Sequence, residues 1–233
     1  MRAGEGVEAA DGAGMTAAGA PMRIDFVSDV VCPWCAIGLA ALEQALERIG
    51  DDVHAQIHFQ PFELNPQMPP EGEPTAEHLR RKYGLDDAQL AENQERIRQR
   101  GAELGFTFAK GGRSRVVNTF DAHRLLHWAG IEGQQAALKH ALLRACFTDD
   151  RDVSDHDTLA AIAGSVGLPE DQAREILASD TYAADVRAAE QMFQRSGINA
   201  VPAVIINQKH LISGGQPVEV FERALREVAA GPN

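Results

Sequence analysis

The sequence predicts an α/β fold in the order β-α-β, a long helical block, then β-β-α. Three observations lead there. Two segments near the start, one around Ile24 and Phe26 and one from Val53 to Phe59, alternate apolar and polar residues. A stretch of helical periodicity lies between them. Near the other end, "AVIIN" (203–207) follows a proline and precedes a second short strand and an amphipathic segment. The two ends join in one sheet only if the helical block is an insertion between them.

The elements follow in order. "MRIDFVS" reads as a strand from Met22 to Ser28. Beyond "DVVCPWCAIG" (29–38), residues Ile37, Leu39, Leu42, Leu46 and Ile49 fall at helical spacing, and Gly50 is a stop. Val53, Ala55, Ile57 and Phe59 then alternate against His54, Gln56, His58 and Gln60, as in a half-buried strand. Strand, helix and strand in succession favour a parallel pair with a right-handed crossover. "NPQMPPEGEP" (65–74) is a connector. Helices are expected near 75–82, 86–103, 118–129, 132–147, 155–166, 169–178 and 181–196. Thr75, Asp86, Asn118 and Ser154 read as N-caps, Asp86 with Gln89 as a capping box. Pro169 suits a first helical position. At the far end, Gln208-Lys209 reads as a two-residue turn, and Pro217 opens a helix with Val220, Phe221, Leu225 and Val228 on one face. The organisation is a disordered tail over 1–21, a sheet domain from 22–60 and 197–230, and an inserted helical subdomain over 61–196.

Composition narrows the function. The chain has 233 residues, 44% hydrophobic and 24% charged, enough to bury a core without a metal or disulfide staple. A net charge of -12 argues against nucleic acid, whose phosphates need clustered Lys and Arg. The first 22 residues lack the basic start and apolar run of roughly 7–15 residues that an export signal needs. No stretch approaches the roughly 18 apolar residues of a membrane span. The expected compartment is the cytoplasm, where thiols are kept mostly reduced.

Two of the three cysteines, Cys32 and Cys35, lie where the first strand hands over to the first helix. Cys32 falls at or just before the helix N-terminus, and Pro33 fits the first helical position. Unpaired N–H groups and the positive helix end there favour a thiolate. Thiols so placed reach pKa values as low as about 3.5 in the extreme case. Cys32 would then attack a disulfide, and Cys35, one turn in, would resolve the mixed disulfide. Structural zinc is the rival, but it normally needs four N or S ligands. The sequence holds no second C-x-x-C, Cys146 stands alone, and His123 and His127 are one turn apart. A structural disulfide between Cys32 and Cys35 would close a tiny loop and stabilise little.

The other marked feature is "GINAVPAVIIN", in which Val201-Pro202 directly precedes a strand. Its plain reading is a loop proline opening an edge strand; the sharper one is a cis proline facing the cysteines. With C-x-x-C after the first strand and V-P before a late one, the chain resembles the thioredoxin superfamily. A helical insertion between the halves is similar to the DsbA family of thiol–disulfide oxidoreductases. "SDVVCPWC", "PFELNPQMPPEG", "NTFDAHRLLHWA" and "GINAVPAVIINQKHLISGGQP" resemble its FrnE-like branch, over about residues 22 to 230. The resemblance implies a thioredoxin-like fold with a large helical insertion. It implies Cys32 as nucleophile, Cys35 as resolving thiol, a cis Pro202, and Val201 offering its backbone to an extended substrate. Pro33 and Trp34 would tune the redox poise, and Trp34 would touch substrate. Related proteins with serine in place of the first cysteine are glutathione-dependent transferases or isomerases; here that position is Cys32.

Three functions are carried forward. The first is a thiol–disulfide oxidoreductase using Cys32 and Cys35, acting on protein or small thiols and disulfides. It needs no metal, flavin or nucleotide, and glutathione or another thiol is the external reductant. The second is a glutathione-dependent transferase or isomerase of small aromatic compounds, like the kappa-class transferases or hydroxychromene-carboxylate isomerases. The third is a peptide-binding chaperone with incidental thiols. Phe62, Leu64 and Asn65 read equally as loop packing or groove lining. Phe120, His123 and His127 share a helix face that packs in the core or turns toward the site, and Cys146 reads as a buried, inert thiol.

Overall fold

The computed structural model describes residues 21–231, so the tail expected over 1–21 lies, but for residue 21, outside the described residues. A four-stranded sheet holds β1 (Met22–Ser28), β2 (Ala55–Pro61), β5 (Ala203–Ile206) and β6 (His210–Ser213) in the order β2-β1-β5-β6. β1 pairs parallel with β2, Ile24 opposite Ile57, and antiparallel with β5, Phe26 opposite Val204. β5 and β6 are antiparallel. The parallel pair exists because the chain between the two strands is a full crossover helix, α1 (Pro33–Ile49). β1 is central and covered on both faces, so six of its seven residues are buried. β6 is an edge, and its outward Leu211 is 53% exposed.

The insertion carries α2 (Thr75–Tyr83), α3 (Asp87–Glu103), α4 (Phe120–Ile131), α5 (Gln135–Phe147), α6 (His156–Ser165), α7 (Glu170–Leu177) and α8 (Ala183–Arg195). A ribbon not anticipated from sequence pairs β3 (Glu73–Pro74) with β4 (Arg115–Val116). α9 (Val218–Ala230) closes the chain and packs on α1. Helices α4, α5 and α8 cover the β2 edge. The side-chain amide of Gln135 completes that cover. Its Oε1 accepts the Phe59 N–H at 2.9 Å, and its Nε2 donates to the Phe59 carbonyl at 3.1 Å, in place of a further strand. One continuous core runs from Ile24 and Phe26 through Leu39 and Leu42 of α1 into Leu125, Leu142 and Ile162 of the insertion. Each such buried side chain is worth about 1.5–3 kcal/mol of transfer free energy.

Helix starts show where local patterns were right and where neighbours overruled them. Asp86 caps α3 with Gln89 in the reciprocal box the sequence suggested. Elsewhere the cap moves by one residue. Pro74 is the cap of α2 and Thr75 its first residue. Pro169 and Pro217 are caps rather than first turns, and Asp155 rather than Ser154 caps α6. A proline fixes φ near -65° in either place, so composition alone does not choose between cap and first position. Thr119 is the cap of α4, while Asn118 accepts the Phe120 N–H from one residue further out. The hairpin turn is centred on Asn207 and Gln208, both at positive φ, one residue before the expected Gln208-Lys209. Asn207 is held there because its N–H and side-chain oxygen both continue the pairing with Arg23.

Candidate active site

Three segments converge at the N-terminus of α1. Cys32 is its cap residue, in extended conformation, with Pro33 first in the helix. The Cys32 carbonyl accepts the N–H groups of Cys35 and Ala36 at 3.0 and 3.3 Å. Its thiol points across to the carbonyl of Val201 at 3.9 Å. The Val201–Pro202 peptide is cis, and the Pro202 carbonyl is held by the Gly214 N–H at 2.8 Å. Trp34 is half-buried, with the Arg96 guanidinium of α3 6.0 Å above its ring. The structure therefore brings together all six residues singled out from sequence, Cys32, Pro33, Trp34, Cys35, Val201 and Pro202.

Close backbone approach makes this possible. A Cβ on Gly38 would lie 3.0 Å from the Pro202 ring and 3.3 Å from Gly215, and one on Gly215 would lie 3.0 Å from the Trp34 carbonyl. Two glycines thus let α1, the Pro202 loop and the loop before α9 pack without intervening side chains.

The two thiols are unlike. Cys32 is pulled below the ordinary thiol range, first by the hydrogen bond from the Cys35 thiol and then by the N–H groups of Cys35 and Trp34, against burial and the Asp29 charge. Cys35 is pushed well above that range by burial and by donating its proton toward Cys32. Arrangement at a helix start, not spacing alone, sets this asymmetry.

Behind the pair lies a buried polar group that the sequence reading missed. The Asp29 carboxylate is fully enclosed. It accepts the Leu64 N–H at 2.7 Å and the Val31 N–H at 3.4 Å, and it lies 3.6 Å from His123 Nε2. Burial pushes its carboxyl up, but His123, the Leu64 N–H and Lys139 outweigh that and hold it below the usual carboxylate range. Lys139 of α5 is buried to 0% exposure, with its ammonium over the Phe59 ring. The Phe–His face of α4 is divided. His123 faces the back of the site and donates to the Phe62 carbonyl at 3.2 Å, His127 stacks near Tyr182, and Phe120 lies under Arg187. Phe62 and Leu64 pack with Val27, Val201 and Ala203 beside the Pro202 loop, while Asn65 is held by Lys82. Asp29 and Lys139 each had a signal: an acid just beyond a buried strand, and a lone lysine between Leu138 and Leu142 on an apolar helix face. Among the described residues, no three His, Cys, Asp or Glu side chains are grouped to hold a metal, and no helix is long and apolar enough to cross a membrane.

Comparison with known proteins agrees with this geometry. The uncharacterized protein YwbO of Bacillus subtilis is 29% identical over 208 residues, 88% of this chain and 96% of YwbO. A probable DsbA oxidoreductase from Streptomyces coelicolor is 34% identical in a solved structure, covering 91% of both chains with a TM-score of 0.83. The cytosolic disulfide reductase DsbM of Pseudomonas aeruginosa, solved with GSH, shares the fold at 18% identity and a TM-score of 0.60, over 88% of this chain and all of that one. The family model described as the DSBA-like thioredoxin domain matches residues 23–226. A match of that extent, on a chain whose cysteine pair begins the crossover helix, has one meaning: the chain belongs to the DsbA-like thioredoxin family of thiol–disulfide oxidoreductases.

Proposed function

We propose that the chain exchanges disulfides with protein or small-molecule substrates through Cys32 and Cys35, as a FrnE-like member acting in the cytoplasm. The observation that carries this reading is the placement of Cys32 as the cap of α1, its thiol 3.9 Å from the Val201 carbonyl beside the cis Pro202, with Cys35 one helical turn behind it. The Cys32 thiolate attacks one sulfur of a substrate disulfide, forming a mixed disulfide and releasing the other sulfur as thiolate. Cys35, once deprotonated, attacks Cys32, forming the Cys32–Cys35 disulfide and releasing the reduced substrate. Two equivalents of an external thiol such as glutathione then reduce the pair; run backwards, the same steps oxidise a substrate dithiol. Val201 and Pro202 form the wall opposite Cys32, where an extended substrate would bond the backbone of Val201 as an added strand. Pro33 and Trp34 lie between the thiols, and Trp34 with Arg96 above it offers an aromatic surface for substrate.

Trapping tests the reading. Cys35→Ser incubated with glutathione disulfide should accumulate a stable Cys32 adduct, seen as a mass increase by intact mass spectrometry. Wild type should instead pass to the internal disulfide. Without an adduct, the exchange reading fails. If Cys35→Ser also turned over a small aromatic electrophile with glutathione at the wild-type rate, the isomerase or transferase reading would replace it.

A further inference from the structure

The insertion brings two arginines to the cysteine pair. Arg96 of α3 is exposed, and its guanidinium lies 6.0 Å over the Trp34 ring. Arg113, from the loop between α3 and β4, donates from Nη1 to the Val31 carbonyl at 2.8 Å. Val31 directly precedes Cys32, and Trp34 lies between the two cysteines. The two arginines also share a support. Gly112, at a φ of 69°, turns its loop onto α3, where a Cβ would lie 3.1 Å from the Gln94 amide, two residues before Arg96. Two guanidinium groups from one edge of the insertion therefore contact residues on both sides of Cys32.

Their partners set them apart from other arginines of the chain. On α3 itself Arg98 pairs with Glu95 and Arg100 with Glu103. Arg96 donates instead to the Asn93 side-chain oxygen at 2.7 Å. Arg113 donates to a backbone carbonyl and rests over the Phe147 ring, and its Nε is buried with no hydrogen-bond partner among the described residues. Neither forms an ion pair among the described residues. In a chain of net charge -12, two cations without counter-charges beside the nucleophile make a local field of the opposite sign. A ring face, an amide oxygen and a carbonyl orient these guanidinium groups without neutralising them. Each keeps N–H donors in the planar fork that fits a carboxylate.

We propose that Arg96 and Arg113 form a cationic rim beside Cys32 that holds a substrate carboxylate, so that the chain favours disulfides carrying a negative group close to the sulfur. This deepens the disulfide-exchange reading and rests on it. The exchange itself is unchanged: Cys32 attacks, one arm of the disulfide leaves as thiolate, and Cys35 releases the other. The rim acts on the encounter and on the placing of the attacked sulfur, which makes Arg96 and Arg113 specificity residues.

Three small disulfides test this. Dithiodipropionate, hydroxyethyl disulfide and cystamine have the same two-carbon arms, with negative, neutral and positive ends at pH 7. Each is mixed with the reduced protein, and oxidation of the pair is followed by acid quenching and intact mass. Dividing each rate by that of free mercaptoethanol with the same disulfide removes the intrinsic reactivity of the sulfur. At low salt the normalised rate for the anionic disulfide should exceed that for the cationic one by about tenfold, and the gap should shrink in about 0.5 M salt. Arg96→Gln and Arg113→Gln should each reduce this ratio severalfold. Arg96→Lys should keep most of it, and Arg96→Glu should reverse it. A merely structural role would slow all three disulfides alike. Arg96 is exposed, so its variants carry the test if Arg113→Gln does not fold. The same comparison on a peptide disulfide flanked by Glu or by Gln identifies the source of the carboxylate. A preference for the Glu peptide assigns the rim to acidic segments of protein clients, and one confined to the small disulfides assigns it to small acids. Equal normalised rates for the three disulfides in wild type, or an unaltered ratio in Arg96→Glu, would overturn the rim while leaving exchange intact. Oxidation by none of the three would overturn the exchange reading and the rim with it.

Discussion

The start of α1 and the end of α5 each bury a cysteine, and the two thiols behave oppositely. Cys32 is 4% exposed and Cys146 2%. Yet Cys32 is drawn below the ordinary thiol range, while burial pushes Cys146 up to about 11. Burial is common to both, so it does not decide. The thiol at the helix start meets N–H donors and a neighbouring S–H. The thiol in the last turn sits at the carbonyl end of its helix, where the dipole opposes a negative charge, and Arg113 offsets only part of the cost. A buried thiol becomes reactive where donors outweigh desolvation.

The harshest test of that contrast removes each sulfur. Cys32→Ser should reduce turnover of a chromogenic disulfide to background, a loss on the order of a thousandfold or more, as when a nucleophile is removed. Cys146→Ser should stay within about twofold of wild type, since it removes a thiol that has no part in the exchange. A comparable loss in both variants would break the comparison. The same contrast can be read without mutation from alkylation against pH. At pH 7 a thiol with a pKa of about 11 is ionised to only about one part in ten thousand. Cys32 should therefore be modified first, its rate falling as acid removes the thiolate. Peptide mapping after brief exposure to iodoacetamide reads the order, and native-state modification of Cys146 as fast as Cys32 would contradict it.

This contrast explains what the sequence made legible. Cys32, Pro33 and Cys35 lie within four residues, and the physics that separates the thiols is local: a strand end, a proline-started helix, free N–H groups. The sheet was readable for the same reason, since β1 and β2 carry their own alternation. The wall at Val201 and Pro202 is 169 residues from Cys32 in sequence, and only the resemblance to a family placed it opposite. Asp29, His123 and Lys139 were not legible as a group, because they come from a loop and two helices that meet only when the insertion docks on β2. Gly38 was passed over because its role is a missing Cβ.

That glycine sharpens the comparison at a middle scale. Gly38→Ala leaves both thiols and every donor in place, and it puts a methyl 3.0 Å from Pro202 and 3.3 Å from the Gly215 backbone. If the thiolate depends only on the helix start, the alkylation profile of Cys32 should hardly move. If exchange also depends on the wall, turnover should fall by about tenfold, because small misplacements of reacting groups are costly. A fall in both would show that the donors shift with the wall.

The smallest expected effect asks whether the rule extends to carboxyls. Asp29 and Glu63 are both buried, at 0% and 5% exposure. Asp29 meets two N–H groups, His123 and Lys139, and stays low. Glu63 has Arg187 on one oxygen, none on the other, and Glu190 nearby. Burial, then the Glu190 charge, raise it to about 7. A carboxyl raised on folding adds stability that is fully present below its unfolded value and is lost as pH rises through its folded value. Wild type should therefore lose stability between roughly pH 4.5 and above 7 from this group. Glu63→Gln, which cannot ionise, should flatten that part of the curve, read as Tm at pH 5 and pH 8. An unchanged slope would mean that Arg187 compensates for the lost solvent as fully as the backbone donors do at Asp29. The balance of donors against burial would then fail to order the carboxyls as it orders the thiols.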